Sequence, residues 1–143
     1  MFYPIALLVF AFDTFIKTVF SCHFLPATSV PLIKGVLNLT YIRNTGVAFG
    51  FMPGQRLLLI LISMAVCAIV IYFYTKTKKK DFLLRVSFAI ILGGSLSNLF
   101  DRVFYGYVID YIDLRVFPVF NLSDVAINLG VFLIILDLFM KRK

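Results

Sequence analysis

The chain has 143 residues, 62% hydrophobic, 17% aromatic and 15% charged, with a mean hydropathy of +1.00 and a net charge of +7. Soluble domains carry about 45–50% apolar and about 25% charged residues, so a water-covered globule, a disordered chain and a collagen-like repeat are excluded. One small integral membrane protein is predicted, and its +7 is read as loop bias rather than as a nucleic-acid surface.

Four apolar stretches, at about 3–20, 57–74, 82–100 and 121–140, are long enough to cross a hydrocarbon layer of about 30 Å. They predict a single four-span membrane domain over residues 1–143. The first carries Asp13 and Lys17. A cleavable leader is the competing reading there, because Val19-Phe20-Ser21-Cys22 loosely resembles a lipoprotein cleavage site. No basic residue precedes it and Asp13 and Lys17 interrupt the apolar run, so it is kept as a span. Residues 21–55 follow, with Pro26, Pro31 and Pro53. Within them residues 36–42 alternate apolar and polar side chains, which predicts a strand.

The link between spans two and three holds Lys76, Lys78, Lys79 and Lys80, with Arg85 close behind, and the chain ends Lys141-Arg142-Lys143. Those eight cations face Lys34, Arg43, Arg56, Arg102 and Arg115 on the other side. Both termini are therefore expected in the cytoplasm, with segment 21–55 and the non-helical stretch 106–120 outside.

Charged groups inside a membrane cost at least about 2.5–3.5 kcal/mol each, so each needs a reason. Asp13 and Lys17 are four apart on one helical face, which predicts a structural ion pair. Asp137 and Lys141 repeat that spacing as an interfacial contact. Span three ends differently. Gly93, Gly94, Ser95 and Ser97 permit close helix approach, and Asn98, Asp101 and Arg102 then share one face. Asp110 and Asp113 follow, and span four opens with Asn121, Ser123 and Asp124, with Asn128 one turn on. Helix caps, a helix-dipole contact for Asp124 and an Asp101–Arg102 surface pair account for these residues singly. They do not account for four of only seven acids, all Asp, gathering at one end.

Such a cluster suits one chemistry best. His23 is the only histidine, and Cys22 and Cys67 the only cysteines, so Cys–His catalysis and the usual zinc or haem ligand sets are missing. A serine nucleophile would need a base, and neither Lys34 nor Lys17 is placed near an obvious serine in sequence. Two aspartates sharing one proton need nothing else: one deprotonates water while the other, protonated, hydrogen-bonds the scissile carbonyl. Sequence alone does not say which aspartate does which.

Four blocks occur in order: Asn44-Thr45-Gly46-Val47-Ala48-Phe49-Gly50, Gly93 through Arg102 (GGSLSNLFDR), Val108-Ile109-Asp110-Tyr111, and Phe120-Asn121-Leu122-Ser123-Asp124. Together they closely resemble lipoprotein signal peptidase (signal peptidase II). The resemblance implies an intramembrane aspartic endopeptidase of the bacterial inner membrane, working without a cofactor or metal, as a monomer among membrane lipids. Its substrates would be diacylglyceryl-modified prolipoproteins, cut N-terminal to the lipidated cysteine. The family's catalytic aspartates fall on Asp110 and Asp124. Its supporting and substrate-binding residues fall on Asn44, Gly46, Asn98, Asp101, Arg102 and Asn121, and its Asp-x-x-x-Lys pair on Asp13 and Lys17. The fold expected is a membrane all-α domain with a small β segment: four transmembrane helices plus an outward-facing, sheet-like cradle between helices 1 and 2.

The departures are small. Thr14-Phe15-Ile16 between Asp13 and Lys17 is more apolar than the family's usual run, and Ser123 stands where alanine is common. A proton or ion transporter would need acids along a path across the membrane, whereas these gather at one end. An assembly subunit would leave the cluster unexplained.

Overall fold

The computed structural model describes residues 1–46 and 54–141. Val47, Ala48, Phe49 and Gly50 of the first sequence block, with Pro53, Arg142 and Lys143, lie outside the described residues. Four helices, α1 (Phe2–His23), α2 (Arg56–Lys76), α3 (Phe82–Phe104) and α4 (Leu122–Lys141), are each long and apolar enough to cross a membrane. Their apolar side chains are spread around the helix and many remain exposed, among them Leu8, Phe15, Leu57 and Phe139, as expected where lipid is the solvent.

The helix α3 lies among the other three and is the most buried of the four. Its small residues are the cause. A Cβ on Gly93 would stand 2.5 Å from the Ala6 carbonyl oxygen of α1, and one on Gly94 would stand 2.7 Å from the Ser123 carbonyl oxygen of α4. Two side chains of ordinary size would force the backbones apart.

Strands β1 (Ser29–Ile33), β2 (Leu37–Asn44) and β3 (Val108–Asp113) form one antiparallel sheet in that order. The hairpin between β1 and β2 turns at Gly35, whose φ of +79° favours glycine. The predicted alternation over 36–42 coincides with β2. The sheet is not built from segment 21–55 alone, however. Its third strand comes from the stretch between α3 and α4, and the register sets Asp110 opposite Ile42 and Val108 opposite Asn44. The sheet packs onto α1 through Phe20, Tyr41, Ile109 and Tyr111, with Phe20 and Tyr111 stacked at 4.9 Å between ring centres.

The two ends of the bundle differ. At one, Phe2 stacks on Tyr74 at 3.6 Å and Lys141 pairs with both Asp81 (2.9 Å) and Asp137 (2.8 Å). That end gathers the start of α1, the α2–α3 turn and the finish of α4. At the other, Arg56 donates to the carbonyls of Arg102 (2.9 Å) and Val103 (2.8 Å), fastening the start of α2 to the finish of α3 beside the sheet.

Candidate active site

The site lies at the sheet end and grows from a buried cation. Lys17 is 1% exposed, and its Nζ lies 2.8 Å from Asp13 Oδ2 and 2.9 Å from Asp101 Oδ2. It also donates to Asn98 Oδ1 (2.9 Å) and Ser97 Oγ (3.2 Å). The Asp13–Lys17 ion pair expected from spacing is thus one side of a larger network joining α1 to α3. A buried charge is tolerated only when its bonding capacity is filled, and here it is. Asp13 is filled as well: Oδ2 accepts from Ser97 (2.6 Å) and Ser123 (2.5 Å), and Oδ1 accepts from the Tyr111 hydroxyl (3.0 Å). Asp101 reaches the sheet by accepting the Ile109 N–H at 3.2 Å.

Asp110 and Asp124 stand above this network, one on β3 and one in the first turn of α4. Asp110 Oδ1 accepts from Asn121 Nδ2 (2.7 Å) and Oδ2 from Asn44 Nδ2 (2.8 Å). Asp124 Oδ1 accepts from Asn98 Nδ2 (2.9 Å) and Oδ2 from the Asn121 backbone N–H (3.2 Å). Each asparagine is held in that sense by an obligate donor on its oxygen. Lys17 faces Asn98 Oδ1, the Gly46 N–H faces Asn44 Oδ1 (2.9 Å), and the Asp124 N–H faces Asn121 Oδ1 (3.0 Å). An amide whose oxygen must accept has only its N–H side left to offer the carboxylates.

Asp110 is 2% exposed, and burial together with the Asp124 charge pushes its carboxyl up to about 7, against the pull of the Asn44 and Asn121 bonds. Burial and the nearby Asp13 also push the Tyr111 hydroxyl up, so it stays a neutral donor. Both aspartates line one cavity of about 780 Å³, with Asn44, Asn98 and Arg102 at its polar end and Leu129 and Phe132 at its apolar end. Among the described residues no group of three His, Cys, Asp or Glu side chains could hold a metal ion.

The sequence blocks therefore converge. Asn44, Asn98, Asp110, Asn121 and Asp124 meet directly, and Gly46 serves by orienting Asn44. Asp101 sits one layer below, on Lys17 and the Ile109 N–H. Arg102 lines the cavity, its Nε without a hydrogen-bond partner among the described residues and its Nη1 3.4 Å from Ser63 Oγ. Asp113 lies outside, bonded to Thr40 and to the Arg115 N–H. Tyr111, Ser97 and Ser123, which lie outside the residues expected for the site, all bind Asp13. Their presence inside the sequence blocks was the available signal.

A family profile described as Signal peptidase (SPase) II matches residues 5–140. The chain belongs to the signal peptidase II family. A relative from Halothermothrix orenii named lipoprotein signal peptidase is 40% identical over 143 residues, covering 100% of this chain and 98% of its own. One of the same name from Moorella thermoacetica is 41% identical over 130 residues, covering 91% and 87%. A solved bacterial membrane enzyme superposes with a TM-score of 0.92 at 30% identity, over 98% of this chain and 88% of the other. Signal peptidase II membership makes the chain a multi-pass bacterial membrane peptidase.

Proposed function

We propose that the chain removes signal peptides from prolipoproteins by aspartic catalysis, with Asp110 and Asp124 as the catalytic pair. The observation that carries this reading is the joint seat of the two carboxylates. They share Asn121 and line one cavity, polar at their end and apolar beyond it. Two acids coupled in a buried site resist ionising together, so below about pH 7 the pair holds one proton. The ionised member takes a proton from water as the water attacks the scissile carbonyl, and the protonated member hydrogen-bonds that carbonyl. Collapse of the tetrahedral intermediate delivers a proton to the leaving amine and frees two peptides.

The cavity supports the substrate class. Val125, Leu129 and Phe132 continue its wall along α4 and suit an apolar signal segment with a lipid-bearing cysteine at its end. A peptide bond in a lipid-embedded helix is shielded, so the substrate must unwind where it is cut, and the site's amides and Arg102 are at hand for the freed backbone. The cut falls N-terminal to a diacylglyceryl cysteine. Lys76, Lys78, Lys79 and Lys80 share one end with the start of α1 and the finish of α4, which supports a cytoplasmic position for that end and a site near the outer face. The enzyme acts as a monomer among membrane lipids.

Mass spectrometry of the products tests this. Purified enzyme in detergent should convert a diacylglyceryl-modified prolipoprotein to a product that starts at the lipidated cysteine, and should leave the unlipidated precursor whole. Cleavage elsewhere, or equal cleavage of both precursors, contradicts it.

A further inference from the structure

The pair of aspartates is symmetric in composition but not in surroundings. We propose that Lys17 is a positioning residue for the cleavage reaction. It acts through the Asn98 amide to make Asp124 the aspartate that enters the reaction ionised, with Asp110 carrying the proton. The inference rests on the reading of Asp110 and Asp124 as the catalytic pair.

The argument starts from donor inventory. An ammonium group donates and never accepts, so at 2.9 Å it fixes Asn98 with its oxygen toward α1 and its N–H toward Asp124. Asn121 Nδ2 adds a second donor to the same oxygen at 3.2 Å. An amide pulled on its oxygen by a cation offers a more polarised N–H, so the Lys17 charge reaches Asp124 through one side chain. Asp124 also lies in the first turn of α4 and accepts the Asn121 backbone N–H, where a helix favours negative charge.

Asp110 has neither advantage. It sits on a strand, and its two amide donors are oriented by neutral backbone N–H groups, those of Gly46 and Asp124. The charged and titratable groups around Asp124 are Asp13 and Lys17 from α1, Asp101 and Arg102 from α3, and Asp110 and Tyr111 from β3. Lys17 pairs with both Asp13 and Asp101, and the Arg102 charge acts on Asp124 before Asp110, which favours the same ionised member. The rise of the Asp110 carboxyl to about 7 agrees with the assignment made from this geometry.

The test is the pH dependence of kcat/KM, on the full chain in detergent with a diacylglyceryl-modified prolipoprotein. Wild type is compared with Lys17→Met, Asn98→Leu and the double variant. Losing the polarised N–H should move the acid limb, where Asp124 gains a proton, upward by about one unit, giving about a tenfold loss below the limb. The double variant should shift no further than either single one, because both act on one chain of bonds. A purely structural role would lower stability without moving the limb. If Lys17→Met fails to fold, Asn98→Leu decides alone, since Lys17 then still satisfies Asp13 and Asp101. An unmoved acid limb in Asn98→Leu, or additive shifts in the double variant, overturns the inference. If Asp110→Asn and Asp124→Asn abolish cleavage in that same experiment, the catalytic pair stands regardless. If they still cleave, the pair itself is wrong.

Discussion

Replacing Gly94 with alanine should disable the site from a distance. The new Cβ would stand 2.7 Å from the Ser123 carbonyl oxygen, 3.1 Å from Ile127 Cγ1 and 3.4 Å from Ala126 Cβ, all on the first two turns of α4. Backbone oxygen cannot rotate away, so α4 must retreat by about 0.5 Å or more to restore ordinary contact. Ser123 adjoins Asp124, and Asn98 lies one turn beyond Gly94 on α3. The same retreat therefore stretches the 2.9 Å Asn98–Asp124 bond toward about 3.4 Å, where it is no longer a good hydrogen bond. Overpacking of this kind costs about 1–3 kcal/mol, and a misplacement approaching 1 Å costs up to about a hundredfold in rate. Gly93→Ala is the matched control. Its Cβ would press on Ala6, about two turns from Asp13, and on Val9, about one turn from it, both toward the opposite end. Thermal unfolding and cleavage kinetics of both variants give the answer. Both should melt lower, but Gly94→Ala should lose about ten- to a hundredfold in kcat per folded molecule and Gly93→Ala no more than about threefold. A Gly94→Ala enzyme that cuts at the wild-type rate, or a Gly93→Ala enzyme equally impaired, would refute the reasoning.

Asp110 makes stability depend on pH. Its carboxyl titrates near 7 when folded against 3.8 as the ordinary value, so the folded state holds the extra proton between those limits. That contribution is complete below about pH 4 and is lost as pH rises through about 7, so the melting temperature should fall over this window and Asp110→Asn should flatten the fall. An unchanged slope in the variant contradicts this. Tyr111→Phe removes a donor to Asp13 and the acceptor of the Leu122 N–H (3.1 Å), and should cost about 1–3 kcal/mol in denaturant unfolding. Arg56→Ala frees the Arg102 and Val103 carbonyls at an exposed site. It should cost only about 1 kcal/mol by the same assay, and a larger loss than Tyr111→Phe would reverse the expected order.

The four helices were legible because each apolar run is long and ends at charge or proline, a local property of the chain. The alternation around β2 was local too. The strand β3 was not legible: Asp110 and Asp113 break its period of two, and its partner lies some seventy residues earlier, opposite Ile42 and Asn38. The site divides in the same way. Spacing alone put Asn98, Asp101 and Arg102 on one helix face, and linked Asp13 to Lys17. That Lys17 also holds Asp101 and Asn98, the latter 81 positions away, depends on how α1 packs along α3. The orientation of the asparagine amides had no sequence signal, because it is set by which donor faces each oxygen once the elements have packed.

The central claim is that Asp110 and Asp124 together perform the cleavage, and one comparison tests it most directly. Wild type, Asp110→Asn and Asp124→Asn, each first shown to fold by its melting curve, are incubated with diacylglyceryl-modified prolipoprotein and followed by gel shift. Asparagine keeps the shape of each side chain and removes its capacity to exchange a proton. Wild type should convert the substrate, and either variant alone should lose cutting entirely. A folded variant that still cuts would contradict the claim.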